Sequence, residues 1–516
     1  MREVSPLMKK NCRTEKRNIF RNVRRKKNAL LFGLFLVTVV CGYTGIAITN
    51  RTNPSQRMSF SERTYRILQM FVLNYGPHAY NIFTNIARFT GAVFSAGVIL
   101  SFAWKYLVHL SEYFRKNLPG SVIVYGDNEE TSHLLSELGV RGIHLIPESG
   151  RFLNGKRYVL MSDEEDNFRF LKEHDFPEDA MIWLKTETLP GILPAGRHLF
   201  TFSAEEIAAV RYWQKYPLYE DAFDEQKNPL SEVHVAVIGL GRQGRELLYA
   251  GVQMNAFDPD QQIFYHILTD RSETAWYAGT HDLENLKQLN IILENTEWNT
   301  EEGKRILSGA DRVILLKKGH QAEIVNGLLS LYPDMKLDVF TGTGIPSSAF
   351  LPDRNGWFSG RLRFFETMKE TDTFEEITNS SVLEEAKERN FRYACTYGQK
   401  YENKEDAWEA EKDNFKRYSN IRTVLFDHMM ADCISRYWTN LDEDTLKQKL
   451  IRLEHRSWMN YHLISNWHYG TVRNDSLRIH PDIVPFEELS QEEKDKDLPS
   501  VETMIALSRE LRKGEK

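Results

Sequence analysis

Residues 28–49, NALLFGLFLVTVVCGYTGIAIT, carry no charged side chain and follow directly on the basic cluster Arg24–Lys27. A run of about 20 such residues is long enough to cross a hydrocarbon core of roughly 30 Å. A segment built for lipid is therefore expected. A cleaved signal peptide has a shorter apolar region, of about 7–15 residues, and a small-residue cleavage site. Neither feature is present, and a retained anchor is expected.

Charge agrees with that reading. The first 27 residues hold 11 Lys and Arg against two Glu, whereas the whole chain has a net charge of −6. A basic tail beside a span faces the cytoplasm. A second apolar run extends from Ala79 to Leu110, and its uncharged centre, 89–104, is short. A spanning helix there must include Arg88 or Lys105 near its ends. An arginine is costly at mid-bilayer and tolerated where it snorkels to the headgroups. Two spans with an outer loop are therefore expected over 28–112, behind a cytoplasmic tail at 1–27, with the rest of the chain cytoplasmic and the location a plasma (inner) membrane.

The outer loop contains SFSERTYRILQMFVLNYG, in which Tyr65, Leu68, Phe71 and Val72 recur at helical spacing. A short amphipathic or re-entrant helix is expected. Two spans bracketing a re-entrant helix form the minimal layout of a tetrameric cation pore. A potassium filter, however, needs a run of backbone carbonyls, and only Tyr75–Gly76 follows the helix here. The simpler alternative is an outer cap on an anchor. In a pore, Arg88 would stand near the outer mouth and repel cations unless Glu62 neutralised it.

Past the membrane segment, β-rich apolar runs alternate with helical stretches. SVIVYG, GIHLI, YVLMS, AMIWL and HLFTF occupy 119–222, and the alternation restarts at VHVAVIG within 231–377. This predicts tandem Rossmann-like, doubly wound parallel sheets. The first turn, YGDNEET, places acids where a phosphate would sit, so the first half is expected to be a structural copy. The second contains Gly239, Gly241 and Gly244 as G-x-G-x-x-G between a strand and a helix. With Arg242 and Gln243 they would cradle a pyrophosphate at the helix start, and Asp270 at the end of QIFYHILTD would accept from a ribose hydroxyl. NAD(H) or another adenine nucleotide is the expected cofactor.

GLGRQGREL behind a membrane segment resembles the regulator-of-potassium-conductance (RCK) family over roughly 121–377. The resemblance implies Rossmann folds that dimerise, often into rings, and bind nucleotides to change shape rather than to react. A dehydrogenase would need a proton donor beside the nicotinamide. His320 is a candidate base, though it also reads as a helix-start surface residue, and binding without catalysis is expected.

A helical connector is expected over 378–438, with one or two amphipathic helices around Trp408 and Ser419–Asn420. The last segment, 440–512, is distinctive. Glu454, His455, Trp458, Trp467, Tyr469, Gly470, His480–Pro481, Pro485, Leu489 and 494–497 stand where such residues occur in RyR domains, which this stretch closely resembles. An all-α module is implied. Trp458, Trp467 and Tyr469 are candidates to stack a planar base beside His455, and Arg473 and His480 to hold phosphates. The alternative is a small aromatic core. A metal at His455 and His480 lacks the H-E-x-x-H spacing. The four cysteines are scattered, as expected of reduced thiols.

These features describe a membrane-anchored nucleotide sensor, as a ligand-gated channel or a channel-regulatory subunit. The alternative is a non-conducting sensor or effector in stress or antiviral signalling, and an NAD(P)-dependent oxidoreductase ranks third. The expected partners are the lipid bilayer, a nucleotide-type ligand and copies of the same chain in a dimer or tetramer, without nucleic acid.

Overall fold

A computed structural model describes residues 6–53, 57–72, 74–76, 81–187, 198–317, 319–341 and 361–514. The side chains of 6–28, 102, 104, 105 and 107–109 lie outside that description, and with them the basic tail and the expected role of Lys105. The chain divides into two compact units, 1–117 and 118–516.

The first unit has three helices: α1 (Pro6–Thr52), α2 (Phe60–Phe71) and α3 (Ile82–Arg115). Within it, Ala29–Thr52 and Ile82–Ser101 are long and apolar enough to cross a membrane, by length and composition. Small and polar residues let α1 and α3 approach. Thr38 and Thr90 share a hydroxyl hydrogen bond of 2.8 Å. Asn81 caps α3 in a reciprocal box with Thr84 and donates to the Gly45 carbonyl at 2.7 Å. A Cβ on Gly45 would stand 2.7 Å from the Thr84 nitrogen, so glycine is needed there.

Helix α2 forms as its pattern predicts, but it turns a different face inward. Ile67 and Met70 are its buried residues and Phe71 packs on Phe35 and Phe94 as the pattern expects, whereas Tyr65, Leu68 and Val72 are exposed. Contact with α3 decides this: Ser95 donates to the Phe71 carbonyl at 2.6 Å, and a Cβ on Gly91 would lie 3.0 Å from the Met70 carbonyl oxygen.

The second unit opens with β1 (Val122–Tyr125), α4 (Glu129–Leu138), β2 (Gly142–Leu145), β3 (Arg157–Leu160), α5 (Glu164–Glu173), β4 (Met181–Lys185) and β5 (Leu199–Phe202). All pairings are parallel, in the order β2-β1-β3-β4-β5. Helices α6 (Ala204–Lys215) and α7 (Tyr219–Ala222) lead into β6 (Glu232–Ile238), α8 (Arg242–Met254), β7 (Gln262–Leu268), α9 (Arg271–Thr280), α10 (Leu283–Gln288) and β8 (Ile291–Glu294). Then come α11 (Glu301–Ser308), β9 (Arg312–Leu315), α12 (Gln321–Leu331), β10 (Leu337–Thr341) and β11 (Leu362–Glu366).

This second sheet is also parallel, in the order β11-β10-β9-β6-β7-β8. Counted within the half and read from the β8 edge, that is 3-2-1-4-5-6, the order of a dinucleotide-binding Rossmann sheet; the first half has the flavodoxin-type order 2-1-3-4-5. Alternate strand residues feed a core on each face. Val235, Val237 and Ile314 enter one, and Ala236, Ile238 and Val313 the other. The near-continuous apolar strands seen in the sequence are therefore double-sided.

The halves exchange helices. On α6, Tyr212 and Trp213 are fully buried in the core of the second sheet, and the Trp213 indole donates to the Leu247 carbonyl at 3.0 Å. Beneath α7, Asp221 pairs with Arg312, which is fully buried on β9 and also donates to the carbonyls of Tyr216 and Pro217. In return, α13 (Thr367–Thr371) and α14 (Phe374–Thr378) leave the second sheet and return to the first, where Ile377 and Phe374 pack with Trp183 and Phe202.

The connector consists of α15 (Ser380–Thr396), α16 (Lys404–Ala410) and α17 (Asn414–Arg436), with the helix break at 411–413 and Ser419–Asn420 inside α17. The last segment comprises α18 (Glu443–Ile464), β12 (His468–Tyr469), β13 (Ile479–His480), α19 (Gln491–Asp495) and α20 (Leu498–Gly514). It is helical except for the parallel two-residue pair β12–β13, a departure from the all-α expectation.

Candidate functional sites

In a parallel sheet of this order, ligands bind beyond the strand ends where the order reverses, here between β6 and β9. The glycine turn stands at that point. Gly239 adopts φ +104°, and a Cβ there would lie 3.1 Å from the Lys317 nitrogen after β9. Gly244 lies so close that a Cβ would be 2.8 Å from the Gly239 carbonyl oxygen. Both positions require glycine. Gly241 is the N-cap of α8, and no side chain caps that helix. Its first-turn N–H groups and dipole therefore favour an anion.

A protein acid already uses part of this anion site. The Glu273 carboxylate on α9 accepts from the Leu240 N–H at 3.0 Å and from the Thr269 hydroxyl. Sequence reasoning missed Glu273; the signal was an acid three residues after Asp270. Asp270 ends β7's loop as expected, but its Oδ1 caps α9, accepting from Ser272 N (2.9 Å) and Glu273 N (3.0 Å). Arg242 pairs with Glu187 of the first half, and Gln243 donates to the Glu205 carbonyl at 3.0 Å. Lys317, also missed, pairs with Glu297 at 2.8 Å beside the turn. The mouth thus holds two ion pairs, Arg242–Glu187 and Lys317–Glu297, beside the start of a helix that no side chain caps. His320 is an exposed residue at the start of α12, paired with Glu323 at 3.3 Å.

The same end of the first sheet is filled by protein. Asn128 caps α4, and Asp372 after α13 is buried, its carbonyl 3.3 Å from His133 Nδ1. Burial, then Glu130, pushes the Asp372 carboxyl up to about 6.

The second candidate site divides into an inside and an outside. Trp467, His455 and His480 are buried, and Trp458 is half-buried. His462, which sequence reasoning overlooked, centres the cluster: its ring lies 3.9 Å from Trp458, 5.1 Å from Trp467 and 5.7 Å from His480. It follows Trp458 by one helical turn, which was the available signal. Burial pushes His462 down to about 3 and His480 down to about 4, so both are neutral near pH 7. His455 is held 2.8 Å from the Val484 carbonyl. Tyr469 and Arg473 stand outside, exposed, with Arg473 bound to Asp475 at 2.7 Å. The structure therefore brings four of the six residues together as an aromatic core and leaves Tyr469 and Arg473 at the surface.

Beside this core, Glu454, Asp427 and Asp497 surround Arg389. Asp427 accepts from Arg389 at 3.0 Å and from the Ser500 hydroxyl. Burial pushes Asp427 up to about 7, Asp497 up to about 6 and Glu454 well above the usual range. No metal-holding group of three or more His, Cys, Asp or Glu occurs among the described residues.

The two sites are mechanically connected through α8. Its N-terminus carries the glycine turn, and its far end is clamped by α18. Asn460 donates to the Val252 carbonyl at 2.6 Å, Ser457 to the Gln253 carbonyl at 2.8 Å, and Tyr249 and Ser465 share a 2.6 Å hydroxyl contact.

These features define an α/β protein of two parallel sheets with a helical C-terminal module. Residues 439–510 match the RyR domain family model. No curated protein and no solved structure matches the chain.

Proposed function

We propose that this protein is a membrane-anchored sensor of a nucleotide-type ligand, acting on its two-span unit as a ligand-gated ion channel or channel-regulatory subunit does. The observation that carries the reading is α8: one rigid helix has an uncapped, anion-favouring start in a Rossmann crevice and an end locked to the RyR module. A ligand acts on such a protein only by binding one arrangement better than another. An anion that displaces Glu273 from Leu240 N–H would do this by changing how α9 meets the turn that starts α8, the helix whose far end α18 holds. The resemblance to RCK domains supports the same reading, with the second half binding NAD(H) or another adenine nucleotide and no turnover. The membrane location, cytoplasmic termini and oligomer belong to this proposal.

One observation favours a second reading, a non-conducting membrane effector. Helix α2 is lodged against α1 and α3 by Ile67 and Met70, as an outer cap would be, and Arg88 lies 5.8 Å from the Tyr75 ring of the same chain. Reconstitution into liposomes separates the two. A conductance on adding adenine nucleotide, shifted toward cations by Arg88→Gln, supports the channel. Tight liposomes together with ligand-driven assembly in light scattering support the effector. Neither response, with no nucleotide bound, overturns the sensor reading.

A further inference from the structure

A cavity of about 310 Å³ lies away from both sites, between the edge strand β5, α6 and the connector. Such a volume is at the small end of the roughly 300–1,000 Å³ typical of small-molecule pockets. Its walls are aromatic: Trp183 and Phe200 stack at 5.7 Å, and Trp408 and Tyr418 enter from α16 and α17. Its polar groups are placed unevenly. Arg417 lies 5.5 Å from the Trp408 ring and donates to the Trp408 carbonyl at 2.7 Å, while its Nε is buried with no acceptor among the described residues.

At the rim stands the start of α15, a helix of 17 residues whose N-cap, Asn379, makes no side-chain capping bond. Its first i→i−4 bond runs from Leu383 N to Asn379 O, and Ser380 and Ser381 of its first turn are exposed and line the mouth. The acids in the wall are largely committed. Glu376 pairs with Arg211, and Glu206 with the buried Arg422 at 3.1 Å; burial holds Glu206 above the usual carboxylate range. Glu375 is exposed to solvent.

We infer that this cavity binds a small planar organic anion of nucleoside-monophosphate type, its ring against Trp408, Tyr418 and Trp183 and its acidic group at Arg417 and the open first turn of α15. An aromatic slot alone would accept any flat apolar molecule. The arginine and the helix start add a requirement for one negative group. The site shares no residue with the glycine turn. Because its walls come from the first sheet and from the connector that leads into the RyR module, occupancy would hold those parts together.

The test uses the full chain in non-ionic detergent, with adenosine monophosphate as probe and tryptophan fluorescence as readout. Adenosine monophosphate should quench the signal saturably, and adenosine or inorganic phosphate alone should bind at least about tenfold more weakly. Ser381→Glu, at an exposed position, and Arg417→Gln should each weaken the nucleotide by about tenfold or more, with Ser381→Glu leaving adenosine binding unchanged. Gly241→Asp, which removes any binding at the glycine turn, should leave intact the component that Ser381→Glu and Arg417→Gln weaken. The inference is overturned by no saturable quenching at millimolar nucleotide. It is equally overturned if affinity is unchanged in both cavity variants, or is lost on Gly241→Asp and kept in them.

Discussion

The Glu273 carboxylate on the glycine turn competes with any phosphate that approaches α8. Its removal should therefore tighten nucleotide binding. Leu240 N–H donates to Glu273 at 3.0 Å, so a phosphate oxygen on that amide would sit within about 4 Å of the carboxylate. Two unit charges at that distance repel by ~4 kcal/mol at an effective dielectric of ~20. Glu273 is half-buried, and solvent screening reduces the effect to roughly 1.5–3 kcal/mol, or about ten- to a hundredfold in affinity. Isothermal titration calorimetry on the full chain in detergent, with an adenine nucleotide, would read this for Glu273→Ala. Glu273→Gln keeps an acceptor for Leu240 while removing the charge and should recover part of the gain. Asp270 remains to cap α9, so the melting temperature should fall only slightly. Unchanged or weaker binding in both variants, with the fold intact, would refute the reasoning and move the nucleotide away from this turn.

Three further outcomes are expected. Burial pushes Asp427 and, on α8, Glu246 each up to about 7, so the folded second unit prefers their protonated forms; the stability this contributes is full below their ordinary values near 4 and is lost as pH rises through about 7. The buried neutral His462 and His480 act in the opposite sense up to about pH 6.5, so the readout is a difference: Glu246→Gln should gain in melting temperature relative to the unmodified protein between pH 5 and pH 8, and no relative gain would contradict it. NADH offered with a panel of carbonyl substrates should show no steady loss of absorbance, and oxidation abolished by Gly241→Asp would restore the dehydrogenase reading. Arg312→Met leaves the buried Asp221 without its main partner and should destabilise by ~3–5 kcal/mol in urea unfolding, more than the double variant with Asp221→Leu.

Much of this molecule is written locally. The uncharged run after Arg24–Lys27, the double-sided strands and the glycine spacing are short-range patterns, because hydropathy and backbone conformation act over a few residues. They were enough to place two apolar helices, two parallel sheets and the turn before α8, and the residues of 439–510 carried the RyR resemblance. Contacts between distant segments decided the rest. Glu273 reaches Leu240 only because β7 pairs beside β6 and sets α9 next to the turn. Trp458 and His480 face inward while Tyr469 and Arg473 face water, since α18 and β13 close on one another and β12 is left at the edge. Ile67 and Met70, rather than Tyr65, Leu68 and Val72, are covered on α2, for its amphipathic pattern offers two apolar faces and the contacts with Gly42 of α1 and Gly91 of α3 select one. The cavity beside Trp408 has walls from residues more than 200 positions apart, and no periodicity within a segment encodes which walls will meet. Periodicity specifies which elements form; the packing of elements remote in the chain specifies which of their side chains share a site.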